Sequence, residues 1–130
     1  MNVRFDYLYR DASNYLQRGS VVFAGPDQLD SHLPELESRL RRVLMADGTF
    51  SAHQIRIPER FLYIEGSPSP DDHCLHEFFG LEATADPPDD RLDRRFADFL
   101  DEVDRAAREG WLGFDPYNSS SNRRYFRFSA

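Results

Sequence analysis

The chain has 130 residues, with 16 arginines, no lysine and 23 acidic residues, for a net charge of −7. That balance excludes general binding to nucleic acid, which needs cationic surface to displace counterions, and suits a protein partner of basic character. The length fits a single domain burying roughly two-thirds of its unfolded surface. Eleven Phe, six Tyr and one Trp supply the apolar area for a core. The lone cysteine, Cys74, points to a reducing compartment. The opening has no run of signal-peptide type, and no stretch approaches the ~20 apolar residues of a membrane span. A cytoplasmic protein with no membrane association is the expectation.

Residues 2–9 alternate, with Val3, Phe5, Tyr7 and Tyr9 on one side and Asn2, Arg4 and Asp6 on the other, which predicts a half-buried strand. Asp11, Ser13, Asn14 and Gly19 supply turn chemistry. The run "SVVFAG" reads as the second strand of an antiparallel hairpin. A helix follows, with Leu33, Leu36, Leu40, Val43 and Leu44 at helical spacing, Asp30 or Ser31 as cap, Pro34 in the first turn and Gly48 as a left-handed stop. Two β-like runs are expected at 50–57 and 61–64, and a strand at 73–83. The best-marked element is a second helix with an apolar stripe of Leu92, Phe96, Phe99, Leu100, Val103 and Ala107, and Asp89 and Asp90 as cap and first-turn acids. Asp90/Arg94, Asp101/Arg105 and Asp104/Arg108 fall at i,i+4 spacing for ion pairs.

The order β-β-α-β-(β)-β-α does not alternate regularly. It predicts an α+β fold with a mostly antiparallel sheet and both helices on one face. Residues 1–117 read as one globular domain. Residues 118–130 read as a polar, basic tail whose Ser/Asn run is mobile and whose end adds an edge strand.

The densest chemistry lies in "DDHCLHEFFGLE", residues 71–82. On a helix, His73, His76 and Glu77 would share a face and could build a two-histidine, one-carboxylate metal centre. On a strand, His73, Leu75, Glu77 and Phe79 face one way and Asp72, Cys74, His76 and Phe78 the other. The aromatic surroundings and Gly80 favour the strand, with the two histidines on opposite sides and no metal held. No cofactor is expected. The carboxylates Asp71, Asp72, Glu77 and Glu82 read as solvated, and Cys74 as a small buried side chain. There is no P-loop, no G-x-G-x-x-G and no G-x-S-x-G.

The tail "NRRYFRF" interleaves Arg123, Arg124 and Arg127 with Tyr125, Phe126 and Phe128, a pattern used on single-stranded nucleic acid. All 23 acids precede it, so a final edge strand with its arginines paired to the acidic body is the preferred reading. The other dense stretch, "YLYRDASNY", offers Tyr9, Arg10, Asp11, Asn14 and Tyr15 as a protein-interaction surface, because Tyr and Arg are typical interface anchors.

The stretch Phe5-Asp-Tyr-Leu-Tyr-Arg-Asp11, with Asn14-Tyr15 and Gly19-Ser-Val-Val-Phe23, resembles the opening of a set of small uncharacterised bacterial proteins. His76-Glu-Phe and Gly80-Leu-Glu82 resemble a later part of the same set. The resemblance implies a free-standing bacterial domain and no particular activity. Functionally, the sequence supports a small acidic interaction module without catalysis, an accessory or inhibitory partner of antitoxin- or immunity-like kind. A homodimer is compatible with it. The alternatives are a metal-dependent enzyme centred on residues 71–82 and small-ligand binding on an aromatic sheet face.

Overall fold

Strands β1 (Asn2–Arg10) and β2 (Leu16–Phe23) form the expected antiparallel hairpin, from Val3 opposite Phe23 to Arg10 opposite Leu16. The computed structural model describes residues 1–26, 32–63, 67–117 and 123–128. The period-two pattern puts Val3, Phe5, Tyr7 and Tyr9 inside, each at most 1 % exposed. β1 is central in a curled four-stranded antiparallel sheet of order β2-β1-β4-β3, with β3 at Thr49–Phe50 and β4 at His76–Thr84.

The β1–β4 register shifts once. Asp6 lies opposite Gly80 and Tyr7 opposite Phe78, so Phe79 is an extra residue, a β-bulge. The bulge resets the alternation of β4: Phe78 and Leu81 both face the core while Phe79 is exposed. The Leu81 N–H donates instead to Glu37 Oε1 at 2.8 Å, which ties the bulge to the first helix.

Helix α1 (Leu33–Val43) has Pro34 in its first turn and Arg41 and Arg42 in its last, as the helix dipole prefers. The expected caps Asp30 and Ser31 lie outside the described residues; His32 stands at the N-cap position without a side-chain cap bond. The helix stops when Leu44 turns extended. Gly48 is therefore not its stop. At φ +73 it closes a following 3₁₀ turn, Ala46–Gly48, where glycine avoids the steric penalty of the left-handed region.

Helix α2 (Phe96–Glu109) starts later than expected. Leu92 lies before it and is exposed. Asp89 and Asp90 are not its caps: Asp89 pairs with the edge of β2, and Asp90 holds Arg94. Phe96, Phe99, Leu100, Val103 and Ala106 make the buried stripe, with Ala107 at its margin. Phe99 stacks on Phe23 at 4.3 Å and meets Phe5 edge-on at 5.1 Å. Leu40 of α1 joins the same cluster, so both helices cover one face of the sheet.

Of the run 50–57 only Phe50, the end of β3, is strand; residues 52–56 form turns that bury Ala52 and Ile55, with Ile57 just beyond. Arg94 explains why. Its buried guanidinium donates to the carbonyls of Ile55 and Arg56 at 2.9 and 3.1 Å, and is held by Asp90 and Glu102. Those bonds satisfy backbone groups that a strand ladder would otherwise have taken up. Residues 61–63, the described part of the second β-like run, are not strand. Asp104 is paired with Arg39 of α1, a tie between the two helices in place of a pair along α2.

The final strand forms, away from the main sheet. β6 (Tyr125–Arg127) pairs antiparallel with β5 (Leu112–Phe114) in a two-stranded ribbon. Arg123 pairs with Glu59 at 2.8 Å and lies 3.8 Å over the Phe114 ring. The Ser/Asn run at 118–122 lies outside the described residues.

Candidate interaction site

The hairpin loop is fixed by its own side chains. Asp11 Oδ1 accepts the N–H groups of Ser13 and Tyr15 at 2.9 and 3.0 Å, an Asx-type turn. The Asp11 N–H donates to the Tyr15 carbonyl at 3.1 Å, and Asn14 adopts the left-handed conformation at φ +66. The loop is also pinned from outside: Ala12 N–H donates to the Asp71 carbonyl at 3.0 Å, and Ser13 Oγ to the Asp71 carboxylate at 2.7 Å. On this rigid frame Tyr15 stands 70 % exposed, with Leu16 beside it at 40 %.

The residues expected to form the surface divide. Arg10, Asp11, Asn14 and Tyr15 are at the loop. Tyr9 is inside, its hydroxyl donating to Asp72 Oδ1 at 2.7 Å and accepting the His73 N–H at 3.2 Å. Burial, then the Asp72 bond, raise its pKa above the usual phenol range. Arg10 is half-buried and pairs with Glu77 at 3.2 Å across the outer sheet face.

The histidines do not sit on opposite faces of a strand. β4 begins at His76, and His73 lies in the irregular segment before it, where alternation does not apply. Both imidazoles flank Tyr9, at centroid distances of 5.0 Å for His73 and 5.8 Å for His76. His73 Nδ1 accepts the Leu75 N–H at 3.1 Å, so Nε2 carries the hydrogen donated to the Arg10 carbonyl at 2.7 Å. His76 is fully buried among Tyr7, Phe50 and Phe61, and its Nε2 accepts the Arg60 N–H at 2.8 Å. Burial, with the nearby His73 and Arg60 adding to it, pushes its pKa down to about 3. Glu77 points to the other sheet face. His32 is near Glu35 on α1, and His53 stacks on Tyr125 at 5.2 Å. Among the described residues, no three His, Cys, Asp or Glu side chains converge on a metal position. Cys74 is buried, and burial raises its thiol pKa. The aromatic face of the sheet is filled by the two helices, with Phe5, Tyr7 and Phe78 sealed inside.

Sequence reasoning missed a cleft assembled from three segments. An open cavity of about 670 Å³ is lined by His53, Arg56, Pro58, Glu59, Arg91 and Leu92. A smaller one of about 120 Å³ shares Pro58 and Arg91 with it and adds Ser20, Val21 and Arg60 beside the free side of β2. The only signal in the sequence was a scatter of arginines, and nothing in their spacing announced that residues 20, 60 and 91 meet.

The fold thus defines a small α+β protein with a curled antiparallel sheet and two helices, and among its described residues no helix is long and apolar enough to cross a membrane. Comparison with protein-family models, with curated proteins and with solved structures gave no match.

Proposed function

We propose that this chain is a non-catalytic protein-interaction module, an accessory or inhibitory partner that docks through its first hairpin loop. The supporting observation is the exposed Tyr15–Leu16 pair on a loop whose backbone is already fixed by Asp11 and Asp71. A rigid loop loses little entropy on binding, and Tyr supplies a large, stiff contact surface with a polar tip. Neither side chain contributes to the core, so stability alone gives no reason for two large apolar groups at this tip. A net charge of −7 attracts a basic protein over distance.

The test is a Tyr15→Ala, Leu16→Ala double variant. Its melting temperature should stay near that of the parent, because exposed substitutions usually change stability by about ±0.5 kcal/mol. A partner that co-purifies with the parent from its native host should be lost. Unchanged co-purification at unchanged stability would place the contact elsewhere on the molecule.

A further inference from the structure

We propose that the free edge of β2 binds an acidic peptide segment in extended conformation, which adds as a fifth strand to the main sheet. The surface lies beyond the hairpin tip, and the inference goes beyond that reading.

The ladder geometry sets which groups are free. In an antiparallel pair, alternate residues of an edge strand turn their N–H and C=O toward the neighbour and away from it. The Asp11–Tyr15 bond and the register put residues 17, 19, 21 and 23 of β2 in bonding pairs with β1. Residues 18, 20 and 22 therefore direct their backbone groups outward. Val22 confirms the phase: its N–H donates to Asp89 Oδ1 at 2.7 Å and its carbonyl accepts the Asp89 N–H at 3.0 Å. At Arg18 and Ser20 the outward groups have no backbone partner among the described residues. The open edge is thus a short segment that ends where Asp89 closes it.

The side chains around the edge select the charge of the occupant. On the outer face, Arg18 is exposed and lies 5.1 Å over the Phe79 ring. On the inner side, Arg60 and Arg91 line the small cavity next to Ser20. Arg60 packs so closely along the strand that a Cβ at Gly19 would lie 2.9 Å from its Cγ. Arg60 Nε is buried and has no hydrogen-bond partner among the described residues. Among the described residues, no ion pair joins Arg18, Arg60 or Arg91 to a carboxylate. The two acids in the cavity are already engaged, Asp89 with the Val22 N–H and Asp90 with Arg94. On a chain of net charge −7 this edge is a cationic exception. An added strand would send alternate side chains toward Arg18 on one face and toward Arg60 and Arg91 on the other, so glutamates or aspartates at successive positions meet a cation on either side. A second copy of the chain is a poor occupant, because two-fold pairing of β2 with itself brings these arginines together.

The test uses dye-labelled synthetic peptides and fluorescence anisotropy. One peptide carries glutamates at successive positions between flanking valines, so that both faces of the added strand present a carboxylate, a second carries lysines at the same positions, and a third is the glutamate peptide N-methylated at every glutamate to remove its backbone donors. The glutamate peptide should bind; the lysine and N-methylated peptides should not. Arg91→Gln and Arg18→Gln should each weaken binding roughly tenfold and flatten its salt dependence. Ser20→Pro removes an outward N–H without touching the β1 ladder, and should abolish binding at unchanged melting temperature. Tyr15→Ala should leave peptide binding intact, which separates this surface from the hairpin tip. The proposal is overturned if the lysine peptide binds equally, if N-methylation has no effect, if no peptide binds at millimolar concentration, or if sedimentation shows a dimer that Ser20→Pro disperses.

Discussion

Lowering the pH from 7 to 5 should remove about 2 kcal/mol of stability through His76 alone. The side chain is fully buried in an aromatic box, with its Nε2 held by the Arg60 N–H. Its pKa lies near 3 in the fold against 6.5 for an ordinary imidazole. A histidine held below its ordinary value contributes fully above that value and loses the contribution as the pH falls toward the folded one. Between pH 7 and 5 the unfolded chain takes up most of a proton while the folded ring stays neutral, and integrating that difference gives the figure above. Asp90, also held low, behaves differently in range. Burial works against its charge, and the Arg94 hydrogen bonds overcome it, so its contribution fades only as the pH falls below the ordinary 3.8. The window from 7 to 5 therefore isolates the imidazole from Asp90. Urea unfolding at pH 5, 6 and 7 would measure the loss. A His76→Gln variant keeps an acceptor for the Arg60 N–H but does not titrate; it should be less stable at pH 7 and show a flatter pH profile. Equal slopes in the two proteins, or an NMR signature of a charged His76 ring at pH 5, would refute the reasoning.

Truncating Phe99 to Ala should cost about 3–5 kcal/mol in chemical unfolding, since its ring joins Phe5 and Phe23 at the centre of the core. Arg94→Met should cost about 3–5 kcal/mol, because it strands the buried Asp90 carboxylate and the carbonyls of Ile55 and Arg56; a melting temperature close to the parent's would contradict this. Gly19→Ala should cost about 1–3 kcal/mol, because its Cβ would lie 2.7 Å from Tyr7 Cζ and 2.9 Å from Arg60 Cγ. Metal analysis of protein purified without a polyhistidine tag should show no stoichiometric zinc, and zinc lost on His76→Ala would overturn the placement of that side chain.

What the sequence made legible follows from periodicity. The alternation of Val3, Phe5, Tyr7 and Tyr9 and the stripe of Phe96, Phe99, Leu100 and Val103 are local patterns, and local patterns decide element type. The bulge at Phe79 was hidden because both residues of the Phe78-Phe79 pair are apolar, so one slip in register leaves no mark on the pattern. Residues 51–57 looked β-like because Ile55 and Ile57 are β-branched; a distant arginine, Arg94, gives their backbone another set of partners. His73 was misplaced because strand alternation was extended past the true start of β4. Of the candidate site, the turn chemistry of Asp11 and Asn14 was visible in the sequence. The burial of Tyr9 at the end of the same alternating run was visible as well, and it bears on which of the five residues can meet a partner. The cleft beside β2 has no local signature, since Ser20, Arg60 and Arg91 are neighbours only through the tertiary fold.

The most direct measurement is the affinity of the isolated native partner for the Tyr15→Ala, Leu16→Ala variant beside that of the parent, read together with their melting temperatures. A docking loop predicts binding weakened about thirtyfold or more, as expected for losing an anchor worth ~2 kcal/mol, with the melting temperatures matching. Undiminished affinity in an equally stable variant would contradict it.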